Sequence, residues 1–139
     1  MAIKKNKGKI ITKTGVQTAT PDDEFLKFSF KFFDATDDEV CPAKFQDGYT
    51  QALMERLKSL SSWKVLEFTG SRSKSIRSHP IKWEKTKRPD GFAQLNEQYQ
   101  SYTPYQFSLS SNEYGRVHGF LIGSCFHVVW LDCNHIVYS

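Results

Sequence analysis

Apolar and polar residues alternate most clearly near the two ends of the chain. From Phe25 to Phe33, Leu26, Phe28, Phe30 and Phe32 share one parity, and Lys27, Ser29 and Lys31 share the other. A period of two predicts a strand with one face on a core. Tyr105 to Ser110 alternates in the same way and ends in turn residues, Ser111-Asn112-Glu113-Tyr114-Gly115. Arg116 to Ile122 and Cys125 to Leu131 then flank Gly123-Ser124. A Gly-X pair between two such runs predicts a type II′ hairpin, pairing Ile122 with Cys125, His118 with Val129 and Arg116 with Leu131. Alternation then puts Arg116, His118 and His127 on one face, with His118 and His127 about 7–8 Å apart as diagonal neighbours.

Between these strands the period changes. Phe45, Tyr49, Ala52, Leu53, Leu57 and Leu60 recur at helical spacing behind Pro42, which predicts a helix over about 42–60 with proline in its first turn. Residues 63–68 fit either a strand or a further helical turn, and a short helix is expected around Ala93 to Gln98. The predicted fold class is α+β: an antiparallel sheet of the N-terminal strand and a C-terminal three-stranded meander, with the helix packed on one face. The other face is expected to be partly open. Residues 1–24, with Lys4, Lys5, Lys7, Lys9 and Lys13, read as a flexible basic arm, and 25–139 as a single domain.

Charge narrows the choice of partner. The net charge of +4 and pI near 8.9 favour an anionic partner such as nucleic acid. No apolar run is long enough to span a membrane. The basic N-terminus lacks the apolar core of a signal peptide. Cys41, Cys125 and Cys133 are odd in number and lack paired spacing, which fits reduced thiols in the cytoplasm. Between Gly70 and Pro89 lie Arg72, Lys74, Arg77, Lys82, Lys85, Lys87 and Arg88, opposed by Glu84 alone. Such a stretch predicts a long basic loop, and long loops in compact domains are usually functional or disordered. In it Arg72, Lys74, Arg77 and Lys82 would rim a phosphate site, and Trp83 and Tyr105 would stack on bases.

Arg116 and His118, with Asp132, His135 and Tyr138 just beyond the last strand, supply what metal-free RNA cleavage needs. That reaction takes a base for the 2′-hydroxyl, an acid for the leaving oxygen, and cations for the developing charge. Histidine titrates near neutrality, and arginine meets phosphate in two places at once. His127, between Phe126 and Val128, reads as structural. Cys125, His127, Cys133 and His135 lack the spacing of common zinc sites, so no metal is expected and no cofactor. The chain also carries none of the phosphate-loop, dinucleotide, nucleophile-elbow or HExxH motifs.

The order of strand, helix, basic connection and meander, with Arg116 in the penultimate strand and His135 to Tyr138 at the C-terminus, resembles the RelE/YoeB/HigB superfamily of bacterial toxins. The resemblance covers about residues 25–138 and lies in element order and residue type. It implies a small mRNA-cleaving protein, with ribosome-bound mRNA as substrate and a cognate antitoxin as partner. It assigns roles on RNA to Arg77 or His79, to Arg116, and to His135 with Tyr138. The expected activity is metal-independent cleavage by 2′-hydroxyl attack. Arg77 and Arg116 would hold the phosphate, His118 or His135 would transfer protons, and Tyr138 would orient or donate. One alternative is a non-catalytic nucleic-acid- or partner-binding module, such as an antitoxin or a phage-defence accessory protein. Another is an interaction domain whose Phe-rich strand adds to a second sheet.

Overall fold

The computed structural model describes residues 24–70, 76–110 and 113–138. Of the proposed basic arm over 1–24, residues 1–23 lie outside them, as do Arg72 and Lys74. The fold is α+β. In chain order it consists of β1 (Lys27–Ser29), α1 (Tyr49–Leu60), α2 (Val65–Thr69), β2 (His79–Pro80), α3 (Glu97–Gln100), β3 (Pro104–Ser108), β4 (Arg116–Ile122) and β5 (Cys125–Asp132). The five strands form one sheet in the order β1-β5-β4-β3-β2. The meander of β3, β4 and β5 is antiparallel, as its alternation predicts. β1 departs from expectation: it runs parallel to β5, pairing Phe28 with Phe126, so the sheet is mixed.

The expected length of β1 also fails, for a local reason. After Ser29 the chain turns, with the Phe33 N–H donating to the Phe30 carbonyl at 3.1 Å and Ser29 Oγ accepting from the Lys31 N–H. Leu26 and Phe28 therefore face the helices, Phe30 is exposed, and Phe32 crosses to the opposite side of the sheet. Pro42 does open a turn, but a 3-10 turn over Pro42–Lys44. The α-helix begins only after Gly48, whose φ of 83° interrupts any continuous helix from residue 42. Residues 65–69 are helical, and the Glu67 carboxylate accepts the Lys64 N–H at 2.9 Å.

Tyr49, Leu53, Leu57 and Leu60 of α1 and Val65 and Phe68 of α2 meet Phe107, Val117, Phe126, Val128 and Leu131 of the sheet in one apolar cluster. The other face is covered as well, not partly open. Val40, Phe92 and Val137 close over Phe120, Val129 and Trp130, joined by Phe32, Trp83, Leu95 and Tyr99. The basic stretch is part of this second layer. His79–Pro80 pairs with β3, Trp83–Lys85 forms a 3-10 turn, and Arg88 clasps Asp37 at 2.5 Å and Glu39 at 2.8 Å while lying over the Trp130 ring.

A bulge between His118 and Gly119 shifts the hairpin register. Ile122 faces Cys125 as expected, but His118 faces Trp130 and Arg116 faces Asp132, each one residue beyond the predicted partner. Gly119 is required there, because a Cβ at that position would lie 2.1 Å from the His127 carbonyl oxygen.

The Arg88 clasp has a measurable consequence. Its hydrogen bond holds the Asp37 carboxyl down at about 2, below its ordinary 3.8. A carboxylate with a depressed folded pKa stabilises the fold above its unfolded pKa, and that contribution is lost as pH falls through the folded value. Arg88→Ala is expected to cost about 2 kcal/mol near neutrality. It should also flatten the part of the stability profile between pH 4 and 2, read by urea denaturation at a series of pH values.

Candidate functional site

The polar residues of the second face gather at one end of the sheet. Alternation places Gln106 and Ser108 of β3 opposite His118 and Arg116 of β4, Arg116 opposite Asp132 of β5, and His79 of β2 opposite Gln106. Asp132 then builds the chain beyond β5. Its buried carboxylate accepts the Ile136 and Val137 N–H groups, both at 2.9 Å, and its carbonyl accepts the His135 N–H. This fold-back brings His135 and Tyr138 to the same corner, with the Tyr138 ring 5.9 Å from His79 in edge contact. Arg77 enters from the segment before β2. Arg77 and His135 both hold left-handed backbone, with φ of 49° and 55°, an arrangement that non-glycine residues adopt at a cost and that clusters at functional positions.

Burial divides the histidines. His118 is 0% exposed, and its pKa is pushed down to about 3, first by burial and then by the charges of His135, Arg116, Arg88 and His79. It stays neutral at any working pH and is out of reach of a substrate. His135 is exposed, and burial of part of its ring, with Arg116 and Arg77 nearby, holds it below the ordinary histidine value against the opposing pull of Asp132. His127 is structural, packed between the Phe120 and Phe32 rings. Arg116 is 6% exposed. Its Nη1 donates to the Gly115 carbonyl at 3.1 Å, and its Nε has no hydrogen-bond partner.

The corner therefore brings together Arg77, His79, Arg116, His118, His135 and Tyr138. Other candidates lie elsewhere. Trp83 packs on Phe92 and Trp130 inside the second layer, and Tyr105 lies on the helix side of the sheet against Phe68, so neither is placed as a base-stacking platform beside this corner. Lys82 is exposed in the chain between β2 and the 3-10 turn. Sequence reasoning missed Gln106, a long polar side chain at a strand position that turns out 3% exposed. Its parity with Ser108 rather than with Tyr105 and Phe107 gave no sign of that burial.

Gln106 ties two histidines together. His79 Nδ1 lies 2.8 Å from the Pro80 carbonyl, its Nε2 lies 3.0 Å from Gln106 Nε2, and Gln106 Oε1 lies 3.2 Å from His118 Nε2. A carbonyl only accepts, so Nδ1 of His79 carries a proton and its Nε2, in the neutral ring, accepts the glutamine N–H. Gln106 Oε1 then accepts from a protonated His118 Nε2. His118 Nδ1 is left as a bare acceptor, buried and without a partner.

Among the described residues no group of three or more His, Cys, Asp or Glu side chains is placed to hold a metal ion, and no helix is long and apolar enough to cross a membrane.

His118 also shapes stability. Its unfolded form binds a proton near pH 6.5, while its folded form stays neutral to about 3. Over that window the unfolded state holds more protons, so stability falls as pH falls. His118→Gln should make the slope between pH 6.5 and 4 shallower by up to about 1.4 kcal/mol per pH unit, the equivalent of one proton. Denaturant titrations at stepped pH check this.

Comparison with protein-family models, with curated proteins and with solved structures finds no match to this chain, so its function is argued from the chemistry of this corner.

Proposed function

We propose that the chain is a metal-independent endoribonuclease of RelE-like type that cleaves RNA by attack of the 2′-hydroxyl on the adjacent phosphate. The observation that carries this reading is the grouping of an exposed, neutral His135 with Arg77 and Arg116, whose charges act on its ring. A neutral imidazole beside two guanidiniums suits general-base catalysis on a phosphodiester, because the cations that keep the base unprotonated also favour the charge that develops on phosphorus. His135 accepts the 2′-hydroxyl proton. Arg77 and Arg116 stabilise the phosphorane, and Tyr138, set edge-on against the His79 ring, supplies a proton toward the leaving 5′-oxygen. His118 and Gln106 stand behind these groups. RNA, including mRNA on the ribosome, is the substrate, and a cognate antitoxin would mask this corner.

One observation favours a second reading. The enclosure of His118 removes one of the two histidines that the sequence offers for proton transfer, which suits a nucleic-acid-binding module without catalysis.

Incubation of end-labelled RNA with the protein, with EDTA and with or without ribosomes, separates the two. Cleavage that survives EDTA and leaves 2′,3′-cyclic phosphate ends is the expected result. Intact RNA with a salt-sensitive mobility shift would favour the binding module. His135→Asn keeps a side chain that tolerates left-handed backbone but removes the base, and it should cut the cleavage rate by about 10²–10⁴ while leaving the fold intact by circular dichroism.

The pH–rate profile provides a further check. His135 must be neutral to act, so the acid limb is expected below pH 6.5. Arg77→Ala removes a charge that lowers the His135 pKa. The acid limb should therefore move upward, and the variant should lose more activity at pH 6 than at pH 8.

A further inference from the structure

We propose that the cavity between the Trp83 turn and the chain entering β3 is an aromatic cage for a trimethylammonium group. The group is presented either by a free cation such as choline or by a trimethylated lysine side chain. The cavity has a volume of about 80 Å³ and is lined by Trp83, Asp90, Phe92, Gln100, Tyr102 and Pro104. It lies by the Pro104–Phe120 end of the β3–β4 ladder, and Arg116 lies at the opposite end. At roughly 10–15 Å³ for each water-sized group, it holds about five to eight of them. A trimethylammonium head with the carbon that carries it has that size.

The walls suit a round cation rather than a flat ring. Trp83 and Phe92 stand at 78° to each other with centroids 4.8 Å apart. Phe92 is inclined by 49° to Phe120, and Tyr102 stacks on that same Phe120 ring at 16°. Ring planes that meet at such angles enclose a compact group, whereas a planar base is gripped by stacking face to face. The face of each ring is the negative end of its quadrupole, so it attracts a cation. Charge agrees with shape. The chain carries +4, and Lys82, Lys85, Lys87 and Arg88 punctuate this segment, yet no Lys or Arg lines the cavity. Arg88 is held by Asp37 and Glu39 over the Trp130 ring. Asp90, the one charged residue of the lining, pairs with no cation among the described residues. The cage is also built before a ligand arrives. Phe92 is 4% exposed, Trp83 is wedged against Phe92 and Trp130, and Gln100 Nε2 donates to the Leu95 carbonyl at 2.6 Å. Asp90, Gln100 and Tyr102 are its exposed members, and they border the side open to solvent.

The experiment is a ¹H–¹⁵N NMR titration of the intact chain at constant ionic strength. The three probes are choline, its uncharged carbon isostere 3,3-dimethyl-1-butanol, and a short peptide carrying trimethyl-lysine. Choline should bind saturably and move the Trp83 indole and Tyr102 amide signals. The isostere has the same shape without the charge and should bind about tenfold more weakly, the scale of a desolvated cation–π contact. Tyr102→Leu removes a ring that is 40% exposed and should weaken choline by a similar factor. Tyr102→Phe keeps the ring and should bind as the unmodified chain does, and Asp90→Asn should weaken binding several-fold. Tighter binding of the peptide than of choline assigns the group to a methylated side chain, and the reverse order assigns it to a free cation. The proposal is overturned if neither choline nor the peptide binds at tens of millimolar, or if the isostere binds as well as choline. It is overturned equally if Tyr102→Leu leaves the affinity for choline unchanged. RNA cleavage plays no part in these readings, so their failure would leave the nuclease proposal untouched.

Discussion

A central strand covered on both faces has no solvent in which to place a polar side chain, and β4 is such a strand. Helices press on one of its faces and the apolar layer that includes Val40, Phe92 and Val137 presses on the other. His118 is therefore held by what the neighbouring strand offers, and Arg116 by the carbonyl of Gly115 just before it. Gln106 answers His118 from β3, and Asp132 stands opposite Arg116 on β5. A desolvated group costs more when unpaired than its hydrogen bond contributes when made. This constraint fixes the neutral state of His118, the orientation of the Gln106 amide and the inward position of Arg116. At the margin of the sheet Arg77 and His135 are exposed, and His79 and Tyr138 are half-buried.

Much of the frame was legible because period-two patterns are hard to mistake. The three meander strands, the Gly123-Ser124 hairpin and the apolar stripe of α1 all follow from spacing. Legibility failed where a backbone device with no side-chain signature intervened. The bulge beside Gly119 offsets the register by one from His118 onward, and a glycine in a strand hints at such an event without locating it. The direction of β1 was invisible for a different reason. Its alternation is the same for parallel and antiparallel pairing, and only its partner, β5, decides.

The basic stretch misled in an instructive way. Its charge density suggested a solvated loop, yet its apolar minority decides its place. Trp83 is drawn onto Trp130 and Phe92, and Arg88 then finds Asp37 and Glu39 and lies over the same indole. Four of the residues that converge at the corner, Arg116, His118, His135 and Tyr138, lie close together in sequence. Arg77 and His79 arrive from some forty residues earlier through two residues of pairing with β3. Gln106 was passed over because glutamine in a strand is usually a surface residue, and its burial depends on a layer that the sequence does not announce.

The parallel pairing of β1 bears on how the chain reaches its fold. Lys27 Nζ meets Ser124 Oγ across 97 residues, and Phe28 settles beside Phe126 only when β5 exists. During synthesis β1 thus leaves the ribosome long before the β5 strand it pairs with, and its pairing must wait until that strand is made. Contacts so distant along the chain are slow to form. Until they close, β5 is an open edge of the sheet, and that edge is where a chaperone or a second nascent chain would first take hold.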